Sequence, residues 1–383
     1  MRMAATGTAP IQIFLDQSSA GTATDDLLTV MLRANPRVSD LIFSPGRKLQ
    51  VQVNGEFVPV ELDGLRTLSA DDTRGVASDL IGSNKAAISM LREQGYCDIS
   101  YALSGVARFR VNIFIQRGSC AVVMRVIPTG IPDFKTLGLP EQLREIAALH
   151  DGMVLVTGPR GSGKSSTVAA MLDHINETAS CHIITIEDPI EFLHNHKRAT
   201  FHQRELHSDT PTVAHAMRAA LRQAPNVIAV GELKDRETME LALEAAETGH
   251  LVFSTLNTVN AQQTVERFVG AFAPAEQAPV RDRLARMLRY VVSQRLVPRQ
   301  EDGGRVAVFE ILKSGSKLMD SLVLSGCENT QAPADAVNTV DAEIEKLVRA
   351  GIVDPEIALA HAVDPRELSK KLAILERDSG ADR

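Results

Sequence analysis

The sequence predicts an α/β protein of two domains, a small antiparallel α+β domain followed by a larger domain with a mostly parallel sheet. From residue 153 onwards, apolar runs that suit buried strands alternate with helical segments, which is the pattern of a parallel sheet. Near the start of the chain, alternating apolar and polar residues flank Asn54-Gly55, a strong hairpin signal. A length of 383 residues with 44% apolar content suits two domains.

The first domain is predicted over residues 23–127. It follows a segment, 1–22, whose Ala, Thr, Gly and Ser content indicates a flexible tail. A helix is expected from Asp25 to Arg33 and another from Ser69, with antiparallel strands around and after them. The run Pro128-Thr129-Gly130-Ile131-Pro132 breaks the pattern, so we place a linker at 128–136.

The second domain is predicted over residues 137–312, followed by a helical region, 313–376, and a short tail, 377–383. Helix Leu137–Leu149 is expected to lead into strand Met153–Thr157. Further strands are expected at 183–186, 227–230 and 251–255, so that polar residues follow each strand at one edge of the sheet. A late helix, Val280–Leu296, is expected before strand Val306–Ile311.

Bulk properties exclude several classes of protein. Lys plus Arg number 41 against 48 Asp plus Glu, and this net charge of -7 lacks the basic footprint of a nucleic-acid binder. The cysteines form no C-x-x-C pair, so neither a zinc module nor a disulfide framework is indicated. No apolar run reaches the length of a membrane span, and Ile11–Leu15 is too short for a signal-peptide core. We expect a cytoplasmic protein.

The segment Gly158-Pro159-Arg160-Gly161-Ser162-Gly163-Lys164-Ser165 matches G-x-x-x-x-G-K-[ST], the phosphate-binding P-loop. It lies between a predicted strand and a predicted helix, the context in which the motif is meaningful, whereas a chance match is expected about once in a hundred such chains. Glycines let successive N–H groups converge on phosphate oxygens, and the helix N-terminus adds positive potential. Lys164 then reaches the β- and γ-phosphates, and the Ser165 hydroxyl suits Mg²⁺. The predicted nucleotide-binding residues are Gly158, Arg160, Gly161, Ser162, Gly163, Lys164, Ser165 and Ser166.

Acidic residues follow two of the neighbouring strands. Glu187, Asp188 and Glu191 come after one strand and Glu232 after the next. A single strand-end acid is most often a helix cap, but several around a P-loop suit metal binding and activation of a water. Gly231 stands where an aspartate usually follows the second of these strands, so Mg²⁺ is expected to be held by Ser165, with Glu232 acting through a water.

Four ordered motifs carry a resemblance to a known family. Gly158–Ser165, 183–192, Val230–Glu232 and 245–256 look like the Walker A, Asp box, Walker B and His box of the secretion ATPases. Within that superfamily the chain is most similar to the type IV pilus retraction motors, the PilT-like proteins, from about Asp25 to about Leu372.

The resemblance implies a PAS-like N-terminal domain, a RecA-like ATPase domain and a homohexameric ring that uses ATP and Mg²⁺. It makes Glu191 the catalytic glutamate, Glu232 the Walker B acid and His250 a sensor of nucleotide state. It also implies that the ring works at the inner membrane on a platform protein of the pilus, PilC-like, with a paralogous pilus ATPase as a further possible partner.

Three arginines, Arg108, Arg110 and Arg117, lie in a stretch similar to the family's arginine-bearing strand pair. In that family, arginines of the N-terminal domain reach the γ-phosphate, which fits a motor with a second domain supplying charge. Arginines exposed to solvent on an antiparallel sheet are the alternative. Because the three alternate along the strands, we expect that not all of them face the site.

The sequence departs from the family at several positions. Asn257 replaces the usual second histidine of the His box, Lys234 stands where arginine is common, and a late retraction motif is poorly kept at Lys317–Val323. Asn can accept and donate hydrogen bonds but carries no charge. Retraction of pili remains the main hypothesis. An accessory, PilU-like or weakly hydrolysing ring, or a type II or Dot-type secretion ATPase, is the alternative.

Two weaker patterns complete the prediction. Four histidines form a local cluster: His194, His196, His202 and His207. We do not expect a metal site there, because no fixed carboxylate or cysteine accompanies them. Five arginines line the predicted late helix, where a solvated or subunit-contact face is favoured over a nucleic-acid groove. They are Arg281, Arg283, Arg286, Arg289 and Arg295.

Overall fold

The computed structural model describes residues 11–13, 23–53, 55–62, 67–127, 130–300, 304–316, 323 and 339–380. The chain divides into two compact units, Met1–Gly130 and Ile131–Arg383. Most of the predicted tail at 1–22 lies outside the described residues, and so do Pro128 and Thr129 of the predicted linker. The same is true of Asn54, Cys327 and all of the late retraction motif except Val323.

The first unit is built on a seven-stranded sheet with the order β1-β4-β3-β2-β7-β6-β5, antiparallel except for the β1–β4 pair. Its strands are β1 Ile11–Ile13, β2 Val38–Phe43, β3 Leu49–Val53, β4 Glu56–Leu62, β5 Tyr96–Leu103, β6 Ala107–Gln116 and β7 Ser119–Ile127. Its helices are α1 Ala23–Arg33, α2 Ala70–Ile81 and α3 Lys85–Gln94.

Local sequence signals act as predicted in this unit. The hairpin forms, since Val53 of β3 pairs with Glu56 of β4. Ser69 caps α2, accepting a hydrogen bond from the Asp72 N–H while the Asp72 carboxylate accepts from the Ser69 N–H. One part of the predicted tail differs from the prediction, because Ile11–Ile13 pairs in parallel with β4 as an edge strand.

The second unit has a seven-stranded sheet with the order β10-β9-β11-β12-β8-β13-β14, parallel except for β14 at one edge. Its strands are β8 Gly152–Thr157, β9 His182–Glu187, β10 Thr200–Glu205, β11 Val227–Val230, β12 Leu251–Leu256, β13 Leu288–Pro298 and β14 Arg305–Lys313. Its helices up to β13 are α4 Gln142–Ala147, α5 Lys164–Thr178, α6 Val213–Ala220, α7 Arg236–Glu247, α8 Ala261–Val269 and α9 Pro274–Met287. The helices described after β14 include α10 Val340–Arg349, α11 Pro355–His361 and α12 Pro365–Gly380. The predicted α/β fold class, with an N-terminal antiparallel sheet and a mostly parallel second sheet, is confirmed.

The position of β8 in the sheet explains where the P-loop lies. All six residues of β8 are buried between β12 and β13. Ala170, Met171 and Ile175 of α5 pack against Val154 and Val156 in one core. The loop between β8 and α5 is therefore held at the carboxyl edge of the sheet, where α/β proteins bind ligands.

One predicted helix is wrong. The segment Val280–Leu296 divides at Met287, where α9 ends and β13 begins. Val280, Leu284 and Leu288 keep a helical spacing across this boundary, which misled the prediction. The residues from Leu288 onwards are β-branched or alternate in polarity, and they pair with β8 on one side and β14 on the other. The predicted helix Leu137–Leu149 is also shorter, covering Gln142–Ala147.

Several arginines of that segment bind within the chain. Arg283 donates to both oxygens of Glu247 over 2.8 and 2.9 Å and to Glu240 over 2.7 Å, which joins α9 to α7. Arg289 forms an ion pair with Asp151. Arg295 Nη1 donates to the carbonyl of Ala362 over 3.2 Å, after α11. These side chains stabilise the second unit.

Candidate nucleotide-binding site

The P-loop has the backbone that its glycines predict. Gly158, Gly161 and Gly163 have φ angles of 147°, 78° and 89°, all in the region that favours glycine. A Cβ at Gly158 would lie 2.2 Å from the carbonyl oxygen of Gln294, so no larger residue fits there. Gly163 precedes Lys164, the first residue of α5, so the helix N-terminus faces the loop.

Lys164 extends through the loop. Its Nζ donates hydrogen bonds to the carbonyls of Gly158 over 2.8 Å and Pro159 over 3.0 Å, and the residue is only 9% exposed. Burial lowers the pKa of this amine, while the charges of Glu232 and Glu191 oppose that shift and Arg160 adds to it. A charged donor at the curled backbone of the loop is an arrangement that stabilises a phosphate.

The other predicted loop residues also suit a phosphate ligand. The Ser162 hydroxyl is buried and has no hydrogen-bond partner within the described residues. Arg160 is exposed at the tip of the loop, and Ser166 is half-buried in the first turn of α5. The curled backbone, the buried lysine and the unsatisfied hydroxyl together fit the phosphates of a nucleotide.

Ser165 connects the P-loop to the loop after β9. Its hydroxyl donates to Glu191 Oε1 over 3.0 Å. The structure thus brings together the residue predicted to bind Mg²⁺ and the predicted catalytic glutamate, although they are 26 positions apart in the chain.

Residues of β10 hold the segment that carries Glu191. Gln203 Nε2 donates to the carbonyl of Phe192 over 2.8 Å and to Glu187 Oε1 over 3.0 Å, and its Oε1 accepts from the His194 N–H. Glu205 accepts from the Ile190 N–H over 3.0 Å. The backbone on both sides of Glu191 is therefore anchored to the neighbouring strand.

Glu187 and Asp188 differ from Glu191 in their surroundings. The Glu187 carboxylate accepts from Thr185 over 2.6 Å as well as from Gln203, and burial raises its pKa despite these bonds. Asp188 lies 3.5 Å from Lys234 Nζ in an exposed ion pair. Of these strand-end acids, Glu191 is the one hydrogen-bonded to the P-loop serine.

Glu232 follows β11 and is held by a residue that follows β12. Asn257 Nδ2 donates to Glu232 Oε1 over 2.6 Å. The departure from the family pattern at position 257 therefore supplies a neutral hydrogen-bond donor to the predicted Walker B acid.

Within one chain, His250 lies at the opposite end of the strands from the P-loop, Glu191 and Glu232. It precedes β12, whereas the P-loop follows β8, and Leu251 pairs with Gly152 while Leu256 pairs with Thr157. Five residue steps of parallel strand, about 17 Å, thus separate the two sheet edges. The His250 Nδ1 atom lies 2.9 Å from the carbonyl oxygen of Ala245. Its predicted sensor role stays a prediction.

The three arginines lie in the first unit. Arg108 and Arg110 share one face of β6, because Phe109 and Val111 on the opposite face are buried. Arg110 is exposed and lies opposite Arg125 of β7, and Arg117 lies in the turn between the two strands with a φ of 48°.

Sequence reasoning missed several residues that support the site. Three of them belong to no sequence motif. Gln294 lies against the P-loop and bonds to Thr167 of α5, and Gln203 bonds to the segment that carries Glu191. A polar residue within an apolar strand was the available signal for Gln294 alone, since a buried polar residue needs partners. Of the histidine cluster, His202 has its Nδ1 atom 2.8 Å from Nε2 of His182, a residue outside the cluster. No group of three possible metal ligands occurs within the described ranges.

Comparisons of the sequence with known proteins give one family and several relatives. Residues 98–351 match the family model described as type II/IV secretion system protein. The chain is 40% identical over 326 residues to a twitching motility protein of Neisseria gonorrhoeae, covering 83% of this chain and 85% of that protein. It is 43% identical over 279 residues to the type IV pilus retraction ATPase PilT of Pseudomonas aeruginosa, covering 73% and 79%.

The fold is also similar to that of a solved structure. The crystal structure of the pilus retraction motor PilT with bound ADP superposes with a TM-score of 0.81 at 41% identity, covering 87% of this chain and 95% of that one. Where the chain is described, no helix has the length and apolar character needed to cross a bilayer.

Proposed function

Because the chain belongs to the type II/IV secretion system protein family and is an ATPase, we propose that it is a hexameric, Mg²⁺-dependent motor that powers retraction of a type IV pilus. The resemblance predicted from the four motifs is confirmed by the family match and the relatives. The observation that carries the proposal is the meeting of Lys164, Ser165 and Glu191 at the end of β8.

Each residue of the site has a role in this proposal. The backbone amides and Lys164 would bind the phosphates of ATP, and Ser165 would hold Mg²⁺ with Glu232 as a supporting acid. When bound, Mg²⁺ would supply positive charge for the transfer of the phosphoryl group. Glu191 accepts a proton from the attacking water, and Asn257 orients the Glu232 carboxylate.

The proposal also assigns a role to the first unit. Arg108, Arg110 or Arg117 brings positive charge to the γ-phosphate, in the manner of an arginine finger. Hydrolysis then changes the contacts of that arginine, and the two units move relative to each other. In a ring of six copies, such movement acts on an inner-membrane platform protein of the pilus from its cytoplasmic side.

The proposal is tested by deleting the gene in its native cell and restoring it as wild type or as Lys164→Ala. We expect abundant surface pili without twitching motility in the deletion strain and in the Lys164→Ala strain, and normal behaviour with the wild type. Absence of pili would indicate an assembly motor and would contradict the proposal.

An ATPase assay of the purified protein separates the main motor from the accessory alternative. We expect steady turnover with Mg²⁺ and ATP in the wild type and none in Lys164→Ala. Absence of turnover in the wild type, together with weakened retraction in the deletion strain, would favour an accessory ring.

A further inference from the structure

Gln294 of β13 lies directly against the P-loop. The strand runs parallel to β8, and Ser293 pairs with Thr157, so Gln294 is level with the first residue of the loop. The residue is only 3% exposed. A buried carboxamide needs hydrogen-bond partners because it has left water.

The side chain of Gln294 finds a partner in the helix that follows the loop. Its Oε1 accepts a hydrogen bond of 2.8 Å from the hydroxyl of Thr167, which is itself fully buried in the first turn of α5. This bond joins β13 to the helix N-terminus that faces the phosphate site.

Gln294 also leaves no room for a side chain at two glycines that shape the loop. A Cβ at Gly158 would lie 2.2 Å from the Gln294 carbonyl oxygen, and a Cβ at Gly163 would lie 2.8 Å from Gln294 Nε2. Gln294 therefore abuts the loop where it leaves β8 and where it enters α5. These two contacts and the Thr167 bond enclose the loop between its ends.

We propose that Gln294 is a positioning residue that keeps the P-loop in its phosphate-binding curvature, acting through Thr167 and the backbone at Gly158 and Gly163. The inference rests on the proposed nucleotide site and deepens it. Within the part of the chain that the structure describes, no hydrogen bond joins Gln294 to Glu191 or Glu232. Its effect therefore falls on nucleotide binding rather than on the chemical step.

The test replaces Gln294 with methionine, which keeps the length of the side chain but removes the acceptor for Thr167. The loss leaves a buried hydroxyl unpaired, so we expect the Kd for a fluorescent ADP analogue and the KM for ATP to rise roughly tenfold. We expect kcat to stay within about twofold of wild type, a separation that a general loosening of the fold would not produce.

Thr167→Val provides a second variant and closes a double-mutant cycle. If Gln294 acts through Thr167, the Kd of the double variant for the ADP analogue is no higher than the higher of the two single-variant Kd values. Should Gln294→Met fail to fold, Thr167→Val alone must still raise Kd by a similar factor.

Thr73→Val is the matched control, because Thr73 is another fully buried threonine in the first turn of a helix, α2 of the first unit, and donates to the carbonyl of Ala70 over 3.2 Å. We expect it to leave Kd unchanged. Wild-type affinity in Gln294→Met, strictly additive losses in the cycle, or an equal loss in the control would overturn the inference. If the wild type itself binds no ADP analogue, the proposed nucleotide site fails first, so the two failures are distinguishable.

Discussion

The hydroxyl of Ser165 donates a hydrogen bond to Glu191 Oε1 across 3.0 Å. This contact joins the first turn of α5 to the segment after β9, two parts of the chain that meet because their strands end at the same edge of the sheet. It places a carboxylate beside the loop whose backbone suits phosphate, which is where a water must be activated for hydrolysis.

Glu191→Gln is expected to lower kcat for ATP hydrolysis by about 10² to 10⁴, the usual contribution of general base catalysis. Glutamine can still accept the Ser165 hydrogen bond, so ATP should bind and remain trapped. Single-turnover assays with filter binding measure both effects. Glu244→Gln, an exposed glutamate of α7, is the control. Normal turnover in Glu191→Gln would show that another group activates the water.

Asn257→Ala is expected to lower kcat by about tenfold, because a hydrogen bond to a charged carboxylate contributes roughly 1.5–3 kcal/mol. Without its partner, Glu232 loses the orientation set by the 2.6 Å contact. Asn257→His, which restores a donor and the residue usual in the family, should recover part of the rate. Steady-state kinetics test this, and an unchanged kcat in the alanine variant would mean that the contact has no part in catalysis.

The arginines Arg108, Arg110 and Arg117 are best tested as separate alanine variants. The one that reaches the transferred phosphoryl group should cost about 10³ or more in kcat. Arg74→Ala is a suitable control, since Arg74 is an exposed arginine of the same unit that pairs with Asp71. If all three variants hydrolyse ATP at the wild-type rate, these arginines serve only the sheet.

His194→Phe is expected to change how stability depends on pH. The side chain of His194 is buried and stacked on Phe201 with ring centroids 4.2 Å apart. Burial lowers its pKa, although Asp173 opposes the shift. The unfolded chain therefore binds a proton below about pH 6.5 that the folded protein does not, and wild-type stability falls as the pH drops below that value.

Phenylalanine keeps the stacking and removes this proton, so the stability difference between variant and wild type should shift in favour of the variant as the pH falls from 7 to 5. Urea unfolding at several pH values measures it. Leu193→Met, at an exposed position beside His194, changes no titrating group and should run parallel to wild type. A constant difference between His194→Phe and wild type across this range would exclude a titrating role for His194.

Much of the site was predictable because its signals are local. Gly158, Gly161 and Gly163 bend the chain wherever it is placed, and Lys164 follows them as the first residue of a helix. The mostly parallel sheet was predictable for the same reason, since apolar strands and amphipathic helices alternate along the chain.

Other features depended on contacts between distant segments. The segment from Leu288 to Pro298 was predicted to be helical up to Leu296 because its apolar spacing continues that of α9. It is a strand because β8 and β14 offer hydrogen bonds on both sides. The strand β10, which anchors the Glu191 segment through Gln203, was not predicted, because its polar residues form no strong apolar alternation.

The phosphate loop, the acids at the strand ends and the family could all be recognised from short segments, because backbone curvature and residue order are local properties. Four relationships emerged from the fold: Glu191 bonds to Ser165, Asn257 bonds to Glu232, Gln294 lies against the P-loop, and His250 precedes its strand at the opposite sheet edge. These relationships follow from strand order and register, which depend on pairing between segments far apart in the chain.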